Sequence, residues 1–148
     1  MEKSLRFPKT GIVIDYYQGA YGPTILIDTT SRQELETIRE VFVDLAQGNI
    51  DLVNLVNIRE ATAMGLDALI LRRLNSGKQG DKCLELKKNN KSGTIEFLWT
   101  LPSVEWWARV NLLDGLSDAP GHHYLTDEDI DDAIVLLQFK ESAAIRGL

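Results

Sequence analysis

The chain has 148 residues, of which 44% are hydrophobic and 26% are charged, and its formal net charge is −6. This length and mix are typical of one globular domain that buries about two-thirds of the surface its unfolded form exposes. An acidic protein repels a phosphate backbone, so nucleic-acid binding is disfavoured, and no apolar run is long enough to cross a bilayer.

The cellular compartment is indicated by the cysteine count and by the first residues. A single cysteine, Cys83, leaves no internal disulfide, which is typical of a reducing compartment. The opening MEKSLRFPKTG lacks the apolar stretch of a secretory signal. We therefore expect a cytoplasmic protein with no membrane partner.

The N-terminal third contains two short strand signals and one ambiguous segment. Residues 11–17 and 24–27 are β-branched or aromatic runs, and glycines and a proline separate them, as in two strands joined by a turn. Residues 50–58 are apolar but interrupted by asparagines, so a strand and an irregular segment fit them equally well.

A helix is indicated between these segments. Ser31 and Glu34 form a capping-box pattern, in which Ser31 accepts a hydrogen bond from the Glu34 backbone and Glu34 reaches back toward the helix start. Apolar residues recur behind them at helical spacing, and Gly48 is a typical C-terminal stop. The pattern predicts a helix over residues 31–47.

The middle of the chain predicts three strands. Residues 66–74 and 82–88 are separated by a glycine-rich turn, and after a second turn residues 94–101 alternate apolar and polar side chains. A period of two is typical of a half-buried strand in an antiparallel sheet, so we expect the three segments to form a meander. The apolar side chains that share one face of the last segment are Ile95, Phe97, Trp99 and Leu101.

The C-terminal third adds a second helix and a last strand. A proline suits a first helical turn, and Trp106, Val110 and Leu113 follow at helical spacing, which predicts a helix over residues 102–116. The apolar run within residues 132–140 predicts the last strand. Strands without regular helical crossovers are typical of the α+β class. We therefore predict a single α+β domain with a mainly antiparallel β-sheet and two helices packed on it.

The segment PGHHYLTDEDIDD, residues 120–132, holds both histidines of the chain. They are unsuited as ligands of one zinc ion, because His122 and His123 are adjacent, so they point to opposite faces in a strand and lie about 100° apart in a helix. The D-x-D-x-D spacing that starts at Asp127 matches the start of an EF-hand calcium loop, but position six is Asp132 instead of Gly and position twelve lacks the required Glu. We therefore predict no metal site and no cofactor.

Two other interpretations of the histidines stay open. In a ligand-binding or catalytic site, His122 or His123 acts as a general base beside the carboxylates. The tyrosines that could stack on such a ligand are Tyr16, Tyr17 and Tyr21. In a structural role, an imidazole caps the preceding helix while Tyr124 and Leu125 pack. Standard catalytic motifs around Ser or Cys are absent from the sequence, so an enzyme is the less favoured interpretation.

The same segment ends in the most acidic run of the chain. Residues 127–132 carry five carboxylates in six positions, and no Lys or Arg lies among them. Unpaired carboxylates are too costly to bury, so we expect a solvent-exposed loop. Charges at the rim of an interface speed the association of an oppositely charged partner. The residues predicted to contact a basic protein partner are Asp127, Glu128, Asp129, Asp131 and Asp132.

A resemblance also favours partner binding. The stretch EFLWTLPSVEWWARVNLLDGL, followed by PGHHYL, an acidic loop and an apolar last strand, resembles small bacterial α+β proteins of the immunity-protein type in polymorphic toxin systems. The resemblance extends over residues 94–140 and assigns no functional residue. It implies a non-enzymatic module that binds a basic protein partner, such as a toxin.

Overall fold

The computed structural model describes residues 11–74, 82–116, 120–126 and 131–139. These residues form strands and two helices in an α+β arrangement, which confirms the predicted class. The strands are β1 (Ile12–Gly19), β2 (Gly22–Thr29), β3 (Leu52–Asn54), β4 (Ala61–Met64), β5 (Ala68–Leu74), β6 (Leu84–Asn89), β7 (Thr94–Pro102), β8 (Gly121–Tyr124) and β9 (Ile134–Phe139). The helices are α1 (Arg32–Gln47) and α2 (Ser103–Asp114), and a 3-10 turn, Leu55–Asn57, follows β3.

The strands form two mixed sheets, where the sequence suggested a single sheet. The five-stranded sheet has the order β4-β1-β2-β9-β8, and the four-stranded sheet has the order β3-β5-β7-β6. The pairs β1–β2, β3–β5, β6–β7 and β8–β9 are antiparallel. The pairs β1–β4, β2–β9 and β5–β7 are parallel. Antiparallel pairing therefore predominates, as predicted, but by a single pair.

One hydrophobic core is lined by the inner faces of both sheets and by the two helices. Tyr16 on β1 meets Phe97 on β7 edge to face, with ring centroids 5.0 Å apart, so the two sheets are in direct contact. Phe42 of α1 and Trp106 of α2 both pack on Trp99 of β7, at centroid distances of 6.0 and 5.0 Å. Trp99 is fully buried, as the alternation along β7 predicts.

Helix α1 begins and ends where the sequence predicts. Ser31 is the N-cap, its Oγ accepts from the Glu34 N–H at 3.1 Å, and Gly48 closes the helix in the left-handed conformation at φ 82°. The Glu34 carboxylate reaches back to the N–H of Thr30 at 2.8 Å, one residue before the N-cap. Its other oxygen accepts from the Gly11 N–H at 2.7 Å. This buried carboxylate therefore ties the start of β1 to the start of α1.

The predicted meander is wrong in its strand order. Its three segments are β5, β6 and β7, but β7 lies between the other two, parallel to β5 and antiparallel to β6. The edge position of β6 suits its charge, because an edge strand tolerates charged side chains better than a strand with neighbours on both sides. β7 carries one charged residue, Glu96, whereas β6 carries Glu85, Lys87 and Lys88.

The remaining elements agree with the sequence in type. Trp106, Val110 and Leu113 are buried on one side of α2, as their spacing predicts. Pro102 is the N-cap of α2 in an extended conformation and so precedes the first turn. Residues 50–58 contain both candidates for that segment, a short strand and then an irregular 3-10 turn.

Candidate partner-binding surface

The last two carboxylates of the acidic segment are bound to the edge of β6. Asp131 Oδ1 accepts hydrogen bonds from the N–H groups of Cys83 and Leu84, at 2.7 and 3.1 Å. Asp132 Oδ2 accepts from the Leu86 N–H at 2.8 Å, and the Asp132 N–H donates to the Leu84 carbonyl at 3.1 Å. Both residues thus satisfy backbone groups on the side of β6 away from β7, where an edge strand has no neighbouring strand.

Asp132 also forms an ion pair. Lys82 Nζ lies 2.7 Å from Asp132 Oδ1. Partial burial raises the pKa of Asp132, but the hydrogen bonds from Lys82 and from the Leu86 N–H outweigh it, so the pKa lies below its ordinary value. The same hydrogen bond raises the pKa of Lys82. The sequence predicted a solvated carboxylate with no cation nearby. For Asp132 this prediction is wrong, because Lys82 and the Leu86 N–H, both distant in sequence, bind the carboxylate.

The other acidic residues of the prediction, Asp127, Glu128 and Asp129, lie outside the part of the chain that the structure describes. Their role as partner contacts stays a prediction, and so does that of Asp131 and Asp132. Within the described segments, no group of three or more His, Cys, Asp or Glu side chains is placed to hold a metal ion.

The five residues of the alternative ligand site are not brought together. His122 and Tyr17 project from the same side of the five-stranded sheet, but β2 and β9 separate their strands. At the usual strand spacing, β8 and β1 are about 14 Å apart. His123 projects from the opposite side of β8, Tyr16 packs in the core, and Tyr21 is 78% exposed in the β1–β2 turn. No single ligand surface contains all five.

In the structural interpretation Tyr124 and Leu125 both pack, and only Leu125 does so. Leu125 is buried, and its carbonyl accepts from Arg109 Nε and Nη2 on α2, at 3.1 and 2.9 Å. Tyr124, which was expected to pack, is 53% exposed. Its ring meets His122 edge to face at a centroid distance of 5.9 Å. The chain after α2 is therefore anchored by Leu125 and presents an aromatic pair to solvent.

We call the side of the five-stranded sheet that faces away from the core the outer face. The strand register aligns its side chains in rows. One row crosses all five strands and consists of Met64, Asp15, Leu26, Leu136 and Tyr124. The next row consists of Thr62, Val13, Asp28, Gln138 and His122. A third row begins with Tyr17, which is 39% exposed. In the first row, Met64 is 53% exposed.

The five strands of this sheet contain no Lys or Arg. Their carboxylates are Asp15 and Asp28, both on the outer face, and Asp28 Oδ1 accepts from Gln138 Nε2 at 3.1 Å. The Lys and Arg residues of the other sheet's strands are Arg72, Arg73, Lys87 and Lys88. Among the described strands, basic side chains are therefore confined to the four-stranded sheet.

Sequence reasoning missed the outer face. The alternation of β1 and β2 already separates Asp15 and Asp28 from the buried isoleucines of the same strands. That signal shows that both carboxylates face outward. It does not show that Met64 and Tyr124 share their face, because this depends on pairings between distant strands.

No protein-family model matches the chain, and neither a curated protein nor a solved structure matches it. In the described ranges, neither helix combines the length and the apolar character needed to cross a membrane. The placement and charge of the surface residues therefore carry the functional assignment.

Proposed function

We propose that this protein is a non-enzymatic protein-binding module that engages a basic protein partner. The observation that supports this most is the absence of Lys and Arg from all five strands of one sheet, whose outer face carries two carboxylates among exposed Tyr and Met side chains. Complementary potentials speed association and suppress wrong partners. Tyr and Met are enriched where proteins contact each other.

The specific form that we favour is an immunity-type protein acting on a basic toxin. Residues 101–148 carry nine acidic and three basic side chains, so the C-terminal third adds to the negative potential. Blocking a partner needs stable association and no catalytic group. We place this interaction in the cytoplasm, because the single Cys83 leaves no internal disulfide.

Capture from the source cell, followed by a salt titration, tests the proposal. The tagged protein is used at low ionic strength, retained proteins are identified by mass spectrometry, and the pair is reconstituted from purified components. We expect one basic protein to bind. Its association rate should fall steeply as the Debye length drops from about 30 Å at 0.01 M salt to about 8 Å at 0.15 M, while dissociation changes little.

A control variant separates a general loss of charge from a loss at the binding surface. Glu40 is exposed on α1, so Glu40→Gln removes one charge away from the five-stranded sheet and should leave the rate nearly unchanged. An acidic or neutral partner would contradict the proposal, as would an association rate that does not respond to salt.

A further inference from the structure

We infer that the outer face of the five-stranded sheet is the docking surface, and that its occupant is a cationic, partly apolar segment of the basic partner. This inference rests on the proposed function and adds the place of contact. It assigns the main contact to the sheet, whereas the sequence assigned it to the acidic segment after β8.

The apolar part of the surface extends over β2, β9 and β8, and Asp15 separates it from Met64 on β4. Leu26 and Leu136 are neighbours on β2 and β9 and are partly buried. Tyr124 flanks them on β8 and is 53% exposed, while Met64 stands at the opposite end of the same row, also at 53%. An apolar side chain of the partner that lies over the two leucines would therefore remove Tyr124 from water as well. Burial of such surface is the main favourable term in most associations.

The charged part of the surface selects a cation. Asp15 lies in the same row, between Met64 and Leu26, and Asp28 lies in the next row. Neither carboxylate takes part in an ion pair among the described residues, whose pairs join Arg39, Arg73, Lys82, Lys87 and Arg109 to other acids. A Lys or Arg of the partner would therefore compete with no cation of the described residues. The aromatic pair of Tyr124 and His122 offers a further contact, because a cation is attracted to the face of a tyrosine ring.

The size of the surface determines the kind of occupant. Five strands span about 19 Å at the usual spacing, and three rows span about 13 Å along the strands. That area is well below the ~800 Å² that one partner buries in a standard interface. The face therefore fits one extended or helical segment and not a whole protein surface, so a short peptide is an adequate probe.

Peptide titration followed by NMR tests the inference without knowledge of the partner. The probe is a capped peptide of about eight residues in which Leu and Lys occur in alternating pairs, so that each face of the extended chain carries both types. At ~3.3 Å per residue it is long enough to cross the sheet. A matched peptide carries Glu in place of Lys. We expect the cationic peptide to bind saturably at low salt and to shift the backbone amide signals of β1, β2, β8 and β9. The anionic peptide should bind at least tenfold more weakly.

Four variants localise the contact. Tyr124→Ala should weaken binding of the cationic peptide about tenfold, as truncation of a contacting aromatic side chain does. Asp15→Asn combined with Asp28→Asn should weaken it about threefold to tenfold, the range for two partly exposed charges. Tyr21→Ala removes an exposed tyrosine from the β1–β2 turn, and Glu40→Gln removes a charge from α1. Both controls should change the affinity less than twofold.

Three outcomes would overturn the inference. Peptide shifts confined to residues 131–132 and the acidic segment before them would assign the contact to that loop. Equal affinity for both peptides would make the face merely apolar. Concentration-dependent shifts of the same strands in the protein alone would assign the face to a second copy. None of these outcomes contradicts the proposed function, because a basic partner captured from the cell can bind elsewhere on the chain. The capture experiment tests that function separately.

Discussion

Replacement of Asp131 by alanine tests the anchoring of the acidic segment on β6. The substitution removes an oxygen that accepts from two backbone N–H groups, those of Cys83 and Leu84, at 2.7 and 3.1 Å. Hydrogen bonds to a charged group contribute about 1.5–3 kcal/mol each. Both bonds use one oxygen, and Asp131 is only partly buried, so water can replace part of the loss. We therefore expect the free energy of unfolding to fall by about 2–3 kcal/mol.

Urea unfolding, followed by the fluorescence of the buried tryptophans, measures this loss. The midpoint should fall at an unchanged m-value, and thermal unfolding should show a drop in Tm of roughly 4–12 °C for a chain of this length. Asp131→Asn keeps an acceptor oxygen at that position and should lose less. Asp15→Ala is the charge-matched control, because Asp15 belongs to the outer face and forms no ion pair among the described residues.

A loss below about 0.5 kcal/mol for Asp131→Ala would refute this reasoning, because it lies within the range of ordinary surface substitutions. The segment would then be a solvated loop over its whole length, as the sequence suggested. Equal losses in Asp15→Ala and Asp131→Ala would show that the removed charge, and not the hydrogen bonds to β6, determines the effect.

Three further predictions concern stability. Trp99→Ala should cost about 3–5 kcal/mol of unfolding free energy in urea. Trp99→Phe should cost much less, because the indole N–H of Trp99 is buried without a hydrogen-bond partner among the described residues, so its removal breaks no hydrogen bond there. A similar loss in both variants would contradict this prediction. The pKa of Asp132 is lowered from 3.8, so its contribution is present above that pH and is lost as the pH falls through the lower folded value. The stability difference between the wild type and Asp132→Asn should therefore be constant from about pH 5 to 8 and shrink below about pH 4, and a constant difference down to pH 2 would rule out the linkage. Gly65→Ala places a Cβ 2.5 Å from the Tyr16 carbonyl oxygen, whereas Gly93→Ala meets nothing within 4 Å at a similar φ. The Tm should fall clearly further for Gly65→Ala than for Gly93→Ala, and equal shifts would indicate that the backbone conformation alone is responsible.

Two carboxylates of the acidic C-terminal third have a structural role, which affects how binding variants are designed. Asp131 and Asp132 hold the connection before β9 on the edge of β6, so part of the negative charge in this region has a structural role. A variant that removes all five carboxylates of residues 127–132 would therefore mix a stability defect with a binding defect. The outer-face variants avoid this, because the side chains of Asp15 and Tyr124 project from the sheet on the side away from the core.

The sequence alone determined the features that depend on neighbouring residues. The cap at Ser31, the stop at Gly48 and the burial of Trp99 follow from contacts within one helical turn or from alternation along one strand. These are local rules, and each of them can be read without knowledge of the rest of the chain. The same rules identified the two helices and the α+β class.

Only the tertiary structure decided which strands are neighbours and therefore which side chains share a surface. The backbone partners of Asp131, which are Cys83 and Leu84, lie 48 and 47 residues away in sequence. The row that joins Asp15 to Tyr124 exists because β2 pairs in parallel with β9. Alternation predicts that a side chain faces outward, but it does not predict which strand lies beside it. The neighbouring strand is determined by the packing of both sheets on one core. The sequence therefore indicated an acidic chain of the α+β class, and the long-range strand pairing placed Asp15, Asp28 and their apolar neighbours on one face.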